Sequence, residues 1–260
     1  MKKIMLGTNW KMHRTVEDAK KYTKELSNFI KDYENIQFFI IPPYTSLWHI
    51  REMTKDGSLL VGAQNAHYEP EGAFTGEISP KMLREIGLDI IQLGHSERRQ
   101  YYNENDYEIN KKVLAALDYD FIPLICIGEN IHEKNHGVTK EKLRMQVKIT
   151  LKDVPSEDVK KIWLAYEPIW AIGSSGIPAT PEYAEEAHGY IREILTELYG
   201  SEIANEIPLL YGGSVNPENA LPLIKRDNID GLFIGRSAWD LKQFFEIIKD
   251  VDGYDKGLRD

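Results

Sequence analysis

The sequence predicts a single-domain α/β fold, a closed (β/α)8 barrel, and three observations point to it. The chain's 260 residues, 42% of them hydrophobic, suit one large core, and such a barrel takes about 250 residues. Eight short runs rich in β-branched and aliphatic residues alternate with longer amphipathic segments. No long structureless gap interrupts the alternation, so strand and helix repeat as a parallel sheet that eight units can close. An open doubly wound sheet is the competing architecture for the same pattern.

In chain order the strand runs are 4–9, 36–41, 59–63, 89–93, 121–126, 162–166, 207–211 and 231–234. Thr15 begins the first helix, with Asp18 placed to complete a capping-box pattern. Pro123 falls inside the fifth run and has no N–H for a ladder, so that strand is expected to start later than residue 121. The clearest helix has Pro181 at its first position and Gly200 at its close, with Tyr183, Ala187, Tyr190, Ile191, Ile194, Leu195 and Leu198 on one stripe. One domain spans residues 1–260, and its acidic, polar tail, 250–260, is expected to fray. There is no low-complexity linker and no repeat at the level of sequence.

Thirty-two Lys and Arg against 41 Asp and Glu give a formal charge of −9, which argues against a nucleic-acid footprint or a membrane-binding face. An anionic ligand must then be held by a local site. Cys126 is the single cysteine, so no intramolecular disulfide forms and a reducing, cytoplasmic location is expected. After Met1, Lys2 and Lys3, the apolar run Ile4, Met5, Leu6 before Gly7 is too short for a signal peptide or a membrane span.

In such barrels the chemistry sits where strands end, so polar residues there receive a functional reading first. Glu167 ends the sixth run and is followed by Pro168, Ile169, Trp170, Ala171, Ile172 and Gly173, then Ser174, Ser175 and Gly176. A carboxylate before apolar residues and glycines reads as a base under a lid that expels water, or else as a structural Glu paired with a lysine. His95 follows the fourth run with a helical turn behind it, where a neutral imidazole can donate to a carbonyl oxygen, or simply be a satisfied structural group. Lys11, beside Asn9 at the end of the first run, supplies a fixed positive charge at the mouth or snorkels at the surface. The turns Gly212, Gly213, Ser214 and Gly235, Arg236 bring backbone N–H groups to helix starts, which suits a phosphate, although glycine turns also merely connect elements.

Together these segments resemble triosephosphate isomerases, in the right order and across nearly the whole chain. The resemblance runs through Asn9-Trp10-Lys11, Gly62-Ala63-Gln64-Asn65, Gly72-Ala73-Phe74-Thr75-Gly76-Glu77, residues 94–99, Cys126-Ile127-Gly128-Glu129, residues 166–173 and residues 211–215. It implies a TIM barrel in which Glu167 shuttles a proton through an enediolate. His95 would be the neutral electrophile, as the corresponding histidine is in the family, with Lys11 and Asn9 beside the substrate oxygens and Glu97 supporting them. Backbone amides near Gly173, Ser214 and Gly235 would hold the phosphate. The segment from Gln64 through Phe74, Thr75, Gly76 and Glu77 resembles the loop that reaches into a partner subunit, implying a homodimer. No metal or organic cofactor is implied.

Two segments depart from the family pattern. The lid usually continues past its glycine as Thr or Ser, Gly, Lys, but here reads Gly173, Ser174, Ser175, Gly176, Ile177, Pro178, one residue longer and without the lysine. The eighth turn usually carries Gly-Gly and here carries Gly235-Arg236, whose side chain either meets phosphate or points outward. Both resemble the branch assigned to erythrulose phosphates, so triose and tetrulose phosphates compete as substrates, with the departures favouring the tetrulose. The alternatives from other classes are a barrel that has lost catalysis and serves as a binding scaffold, and an aldolase forming a Schiff base on Lys11.

Overall fold

A computed structural model describes residues 3–173 and 176–259, so Ser174 and Ser175 of the expected lid, like Met1, Lys2 and Asp260, lie outside the described residues. Among the described residues eight strands form: β1 (Ile4–Asn9), β2 (Ile36–Ile41), β3 (Leu60–Ala63), β4 (Ile90–Leu93), β5 (Ile122–Ile127), β6 (Trp163–Tyr166), β7 (Leu209–Tyr211) and β8 (Gly231–Ile234). Neighbours in sequence pair in parallel, and β8 returns to β1 with Met5 opposite Gly231, which closes the barrel and rules out the open sheet.

Period-two alternation divides the apolar residues into two cores. Phe39, Ile90, Leu124, Trp163, Leu210 and Phe233 point inward and fill the barrel, while the other face of each strand packs against the surrounding helices. A Cβ on Gly7 would lie 2.3 Å from the Phe39 ring, so that glycine makes room for the phenyl group inside the barrel. The same parity carries the last inward position of β1 to Asn9, and the position just past β6 to Glu167.

β5 starts at Ile122, one residue later than the run that marked it, and Pro123 still sits within it. Ile122 donates its N–H to Asp89 O on the β4 side at 2.9 Å, so the next nitrogen faces β6. There the ladder begins only at Leu124 and Trp163, and no bond is lost. In the tail, the last helix runs Leu241–Arg259, and Val251, Asp252 and Asp255 are buried in it. No described helix is long and apolar enough to cross a membrane.

The Thr15 capping box forms, and Thr180 and Pro181 start the helix Pro181–Tyr199. Of its expected stripe, Ala187, Ile191, Ile194 and Leu195 are buried, whereas Leu198 is exposed. His188 is fully buried on that face, giving an N–H from Nδ1 to Ala184 O at 2.7 Å and meeting the Tyr166 ring edge-on. Burial lowers its pKa below the ordinary 6.5, so the folded chain keeps it neutral where the unfolded chain binds a proton. Stability from this group is present above pH 6.5 and is lost as pH falls from there toward the folded value, by up to about 1.4 kcal/mol per pH unit. Denaturant midpoints between pH 7 and pH 5 should therefore fall more steeply for the wild type than for His188→Gln, and coincident slopes would refute a buried neutral imidazole.

Candidate active site

Asn9 is buried at the rim of β1 and organises the floor of the mouth. Its Nδ2 donates to Gln92 Oε1 at 2.9 Å, Gln92 Nε2 donates to Cys126 Sγ at 3.4 Å, and its Oδ1 accepts the Lys11 N–H at 2.6 Å. Lys11 has φ 53, a left-handed conformation costly for a side-chain-bearing residue. The bond from Asn9 on one side and a 2.7 Å bond from Gln64 Nε2 to Lys11 O on the other hold it there. Its Nζ is thereby aimed into the mouth and lies 2.6 Å from Glu97 Oε1.

His95 caps the helix Ser96–Tyr101, and its Nδ1 accepts the Glu97 N–H at 3.2 Å. That bond leaves the proton of a neutral ring on Nε2, which lies 3.6 Å from Glu167 Oε1. Glu167 is only 3% exposed, and its Oε2 accepts the Ser96 N–H at 3.3 Å. Two glycines admit it: a Cβ on Gly128 would lie 1.9 Å from Glu167 O, and one on Gly212 would lie 2.9 Å from Glu167 Cγ. Burial, and then the Glu167 charge, push the Cys126 thiol well above its usual range, so it is a neutral wall of the site.

Behind Glu167 the chain turns through a 3-10 helix, Ile169–Ala171. Trp170 Nε1 donates to Glu129 Oε1 at 2.8 Å, and the Tyr166 and Tyr183 hydroxyls donate to the same carboxylate at 3.0 Å. The indole thus anchors the start of the loop after β6, whereas Ala171, Ile172 and Gly173 face the cavity. Gly176 passes so close to Ala171 that a Cβ there would lie 2.5 Å from the Ala171 carbonyl.

A cavity of about 660 Å³ joins these groups: Asn9, Lys11, His95, Glu97 and Glu167 on one side, with Gly173, Gly213, Ser214, Gly235 and Arg236 on the other. Every residue expected at the catalytic and phosphate positions therefore lines one space. Arg236 is exposed at the rim of the cavity, and its Nη2 donates to Gly173 O at 2.9 Å across the mouth. In the loop expected at a subunit interface, Phe74, Thr75, Gly76 and Glu77 are exposed, but the Gln64 side chain is turned inward onto Lys11 O.

Sequence reasoning gave no role to Gln92, Glu129 or Trp239. Gln92 carried a signal, a polar residue between Ile91 and Leu93 in an otherwise apolar strand. Trp239 Nε1 donates to Asn9 O at 2.9 Å, tying the eighth loop to the first, and Glu129 accepts from residues 37 to 54 positions away. Such long-range pairs leave no local mark.

The sequence profile of the family described as triosephosphate isomerase matches residues 4–251. The chain belongs to the triosephosphate isomerase family. The triosephosphate isomerase of Carboxydothermus hydrogenoformans is 42% identical over 249 residues, covering 96% of this chain and 99% of that protein. The L-erythrulose-1-phosphate isomerase of Rhizobium etli is 44% identical over 250 residues, covering 95% and 92%. That of Mesorhizobium japonicum is 43% identical over 245 residues, covering 94% and 95%. Membership makes the chain an isomerase, and it favours neither the inactive scaffold nor the Schiff-base aldolase.

Proposed function

We propose that the protein moves a proton between adjacent carbons of a small ketose phosphate, with Glu167 as the base and a tetrulose phosphate as the preferred substrate. The observation that carries the reading is the meeting of Glu167 and His95 Nε2 at 3.6 Å in the cavity that Lys11 also lines. The Glu167 carboxylate takes a proton from the carbon beside the carbonyl, and the electron pair moves onto the carbonyl oxygen. His95 Nε2–H and the Lys11 ammonium stabilise that oxygen, because an ordinary carboxylate is too weak a base to ionise carbon unaided. Glu167 then returns the proton to the neighbouring carbon while the hydroxyl proton passes to the other oxygen. Asn9 and Glu97 hold Lys11, and Ser214, Gly213, Gly235 and Gly173 surround the phosphate.

The tetrulose reading rests on two departures in sequence, the added residue after Gly173 and the Gly235-Arg236 turn, and Arg236 meets Gly173 at one edge of the cavity. Measured with dihydroxyacetone phosphate and with erythrulose phosphate, kcat/KM should favour the four-carbon substrate about tenfold or more, since that ratio reports differential transition-state binding. A ratio inverted by the same margin would make the triose the substrate. Solvent deuterium entering neither compound would end the isomerase reading for both.

The same reading makes the protein a cytoplasmic homodimer. Thr75 sits on an exposed loop beside Phe74, which is 42% exposed, and Met12, next to Lys11, is 94% exposed. Apolar side chains so placed fit burial by a second copy, which would also brace Lys11.

A further inference from the structure

We propose that Arg236 is a substrate-binding residue whose guanidinium bridges the Gly173 carbonyl to the substrate's phosphate, doing from the eighth loop what no basic residue of the sixth can do. The inference rests on the sugar-phosphate reading above and extends it to one side chain. Between Glu167 and Glu182 the chain has no Lys or Arg, so the loop after β6 brings no cation to a dianion. Lys11 and Arg236 are the Lys and Arg side chains lining the cavity, and Lys11 is engaged by Glu97 at 2.6 Å. Arg236 has no carboxylate partner among the described residues. Its one bond there is to a neutral carbonyl, from Nη2 to Gly173 O at 2.9 Å.

A guanidinium carries five N–H donors in a planar fork, so one donor on Gly173 leaves the others for phosphate oxygens. The frame beneath it is fixed. Trp239 donates to Asn9 O at 2.9 Å, Arg14 Nη2 donates to Trp239 O at 2.6 Å, and Ala238 N–H returns to Gly235 O at 3.0 Å. A side chain on a rigid turn, bonded to a loop opposite, holds Gly173 over whatever anion it also binds. Without the anion that bond is exposed to water. With it, the charge-assisted contacts and the exclusion of water strengthen the bridge.

Arg236→Gly, which restores the glycine pair of the family pattern, and Arg236→Lys test the assignment. Binding of inorganic phosphate, followed by calorimetry, should weaken about tenfold or more in Arg236→Gly, as expected for the loss of a hydrogen bond to a charged group. Turnover of the preferred ketose phosphate should fall about 10- to 100-fold in kcat/KM, and added guanidinium ion should recover much of the loss where methylammonium does not. Arg236→Lys should recover little, because an ammonium cannot bond both partners in one plane. Unchanged phosphate affinity, or a loss that guanidinium does not relieve, overturns the proposal. The phosphate measurement needs no turnover, so it decides the role of Arg236 even if the wild type isomerises neither sugar phosphate.

Discussion

Glu167→Gln should leave the barrel intact and lower kcat/KM about 1,000- to 10,000-fold, the upper part of the range that a positioned acid–base group contributes. The substitution preserves volume and keeps an oxygen for the Ser96 N–H, which Glu167 Oε2 accepts at 3.3 Å. What it removes is the only carboxylate both buried in the cavity and free of a cationic partner among the described residues, since Glu97 is tied to Lys11 at 2.6 Å. The Cys126 thiol, held above its usual range by burial, offers no substitute base. Solvent deuterium incorporation should fall in step with turnover, because both begin with the same abstraction. Glu167→Asp should lie between wild type and Gln, its charge kept but withdrawn by one methylene from a site that Gly128 and Gly212 shape closely. Residual activity of Glu167→Gln within tenfold of wild type, with unchanged circular dichroism, would move the base elsewhere.

The barrel could be read from the sequence because its strands are buried on both faces. They stand out as short apolar runs, and four-residue strands such as β4 and β8 lie within a residue of the runs that mark them. What failed there was anything dependent on neighbours in space. Pro123 looked incompatible with a central strand until the offset start of β6 left its nitrogen without a demand. In the polar tail, Val251 and Asp255 are buried against the rest of the chain, which composition does not show. The site divides the same way. Asn9, Lys11, His95 and Glu167 could be picked out because each ends or follows a strand, where chain direction alone puts it at the mouth. Gln64 and Gln92 act by holding Lys11 and Asn9, at separations of 53 and 83 positions, and Glu129 holds Tyr166, just before Glu167, at 37. Only closure of the barrel brings those partners together.

His95→Gln should lower kcat about 100- to 1,000-fold with little change in fold or in KM, the usual consequence of losing one donor to a developing oxyanion. The imidazole is fixed rather than merely present. Nδ1 accepts the Glu97 N–H at 3.2 Å, so Nε2 bears the proton that faces the cavity, 3.6 Å from Glu167. A glutamine can still donate from its amide, but with a longer, unpinned chain, and it leaves the Glu97 N–H to find another acceptor. The loss should therefore fall on the transition state, where negative charge grows on the oxygen, rather than on binding the uncharged carbonyl of the ground state. Lys11 would still supply its charge, so some activity should survive. A change in KM alone would recast His95 as a binding group, and turnover within threefold of wild type would leave Lys11 as the electrophile, with Glu167 working against an oxygen that needs no imidazole.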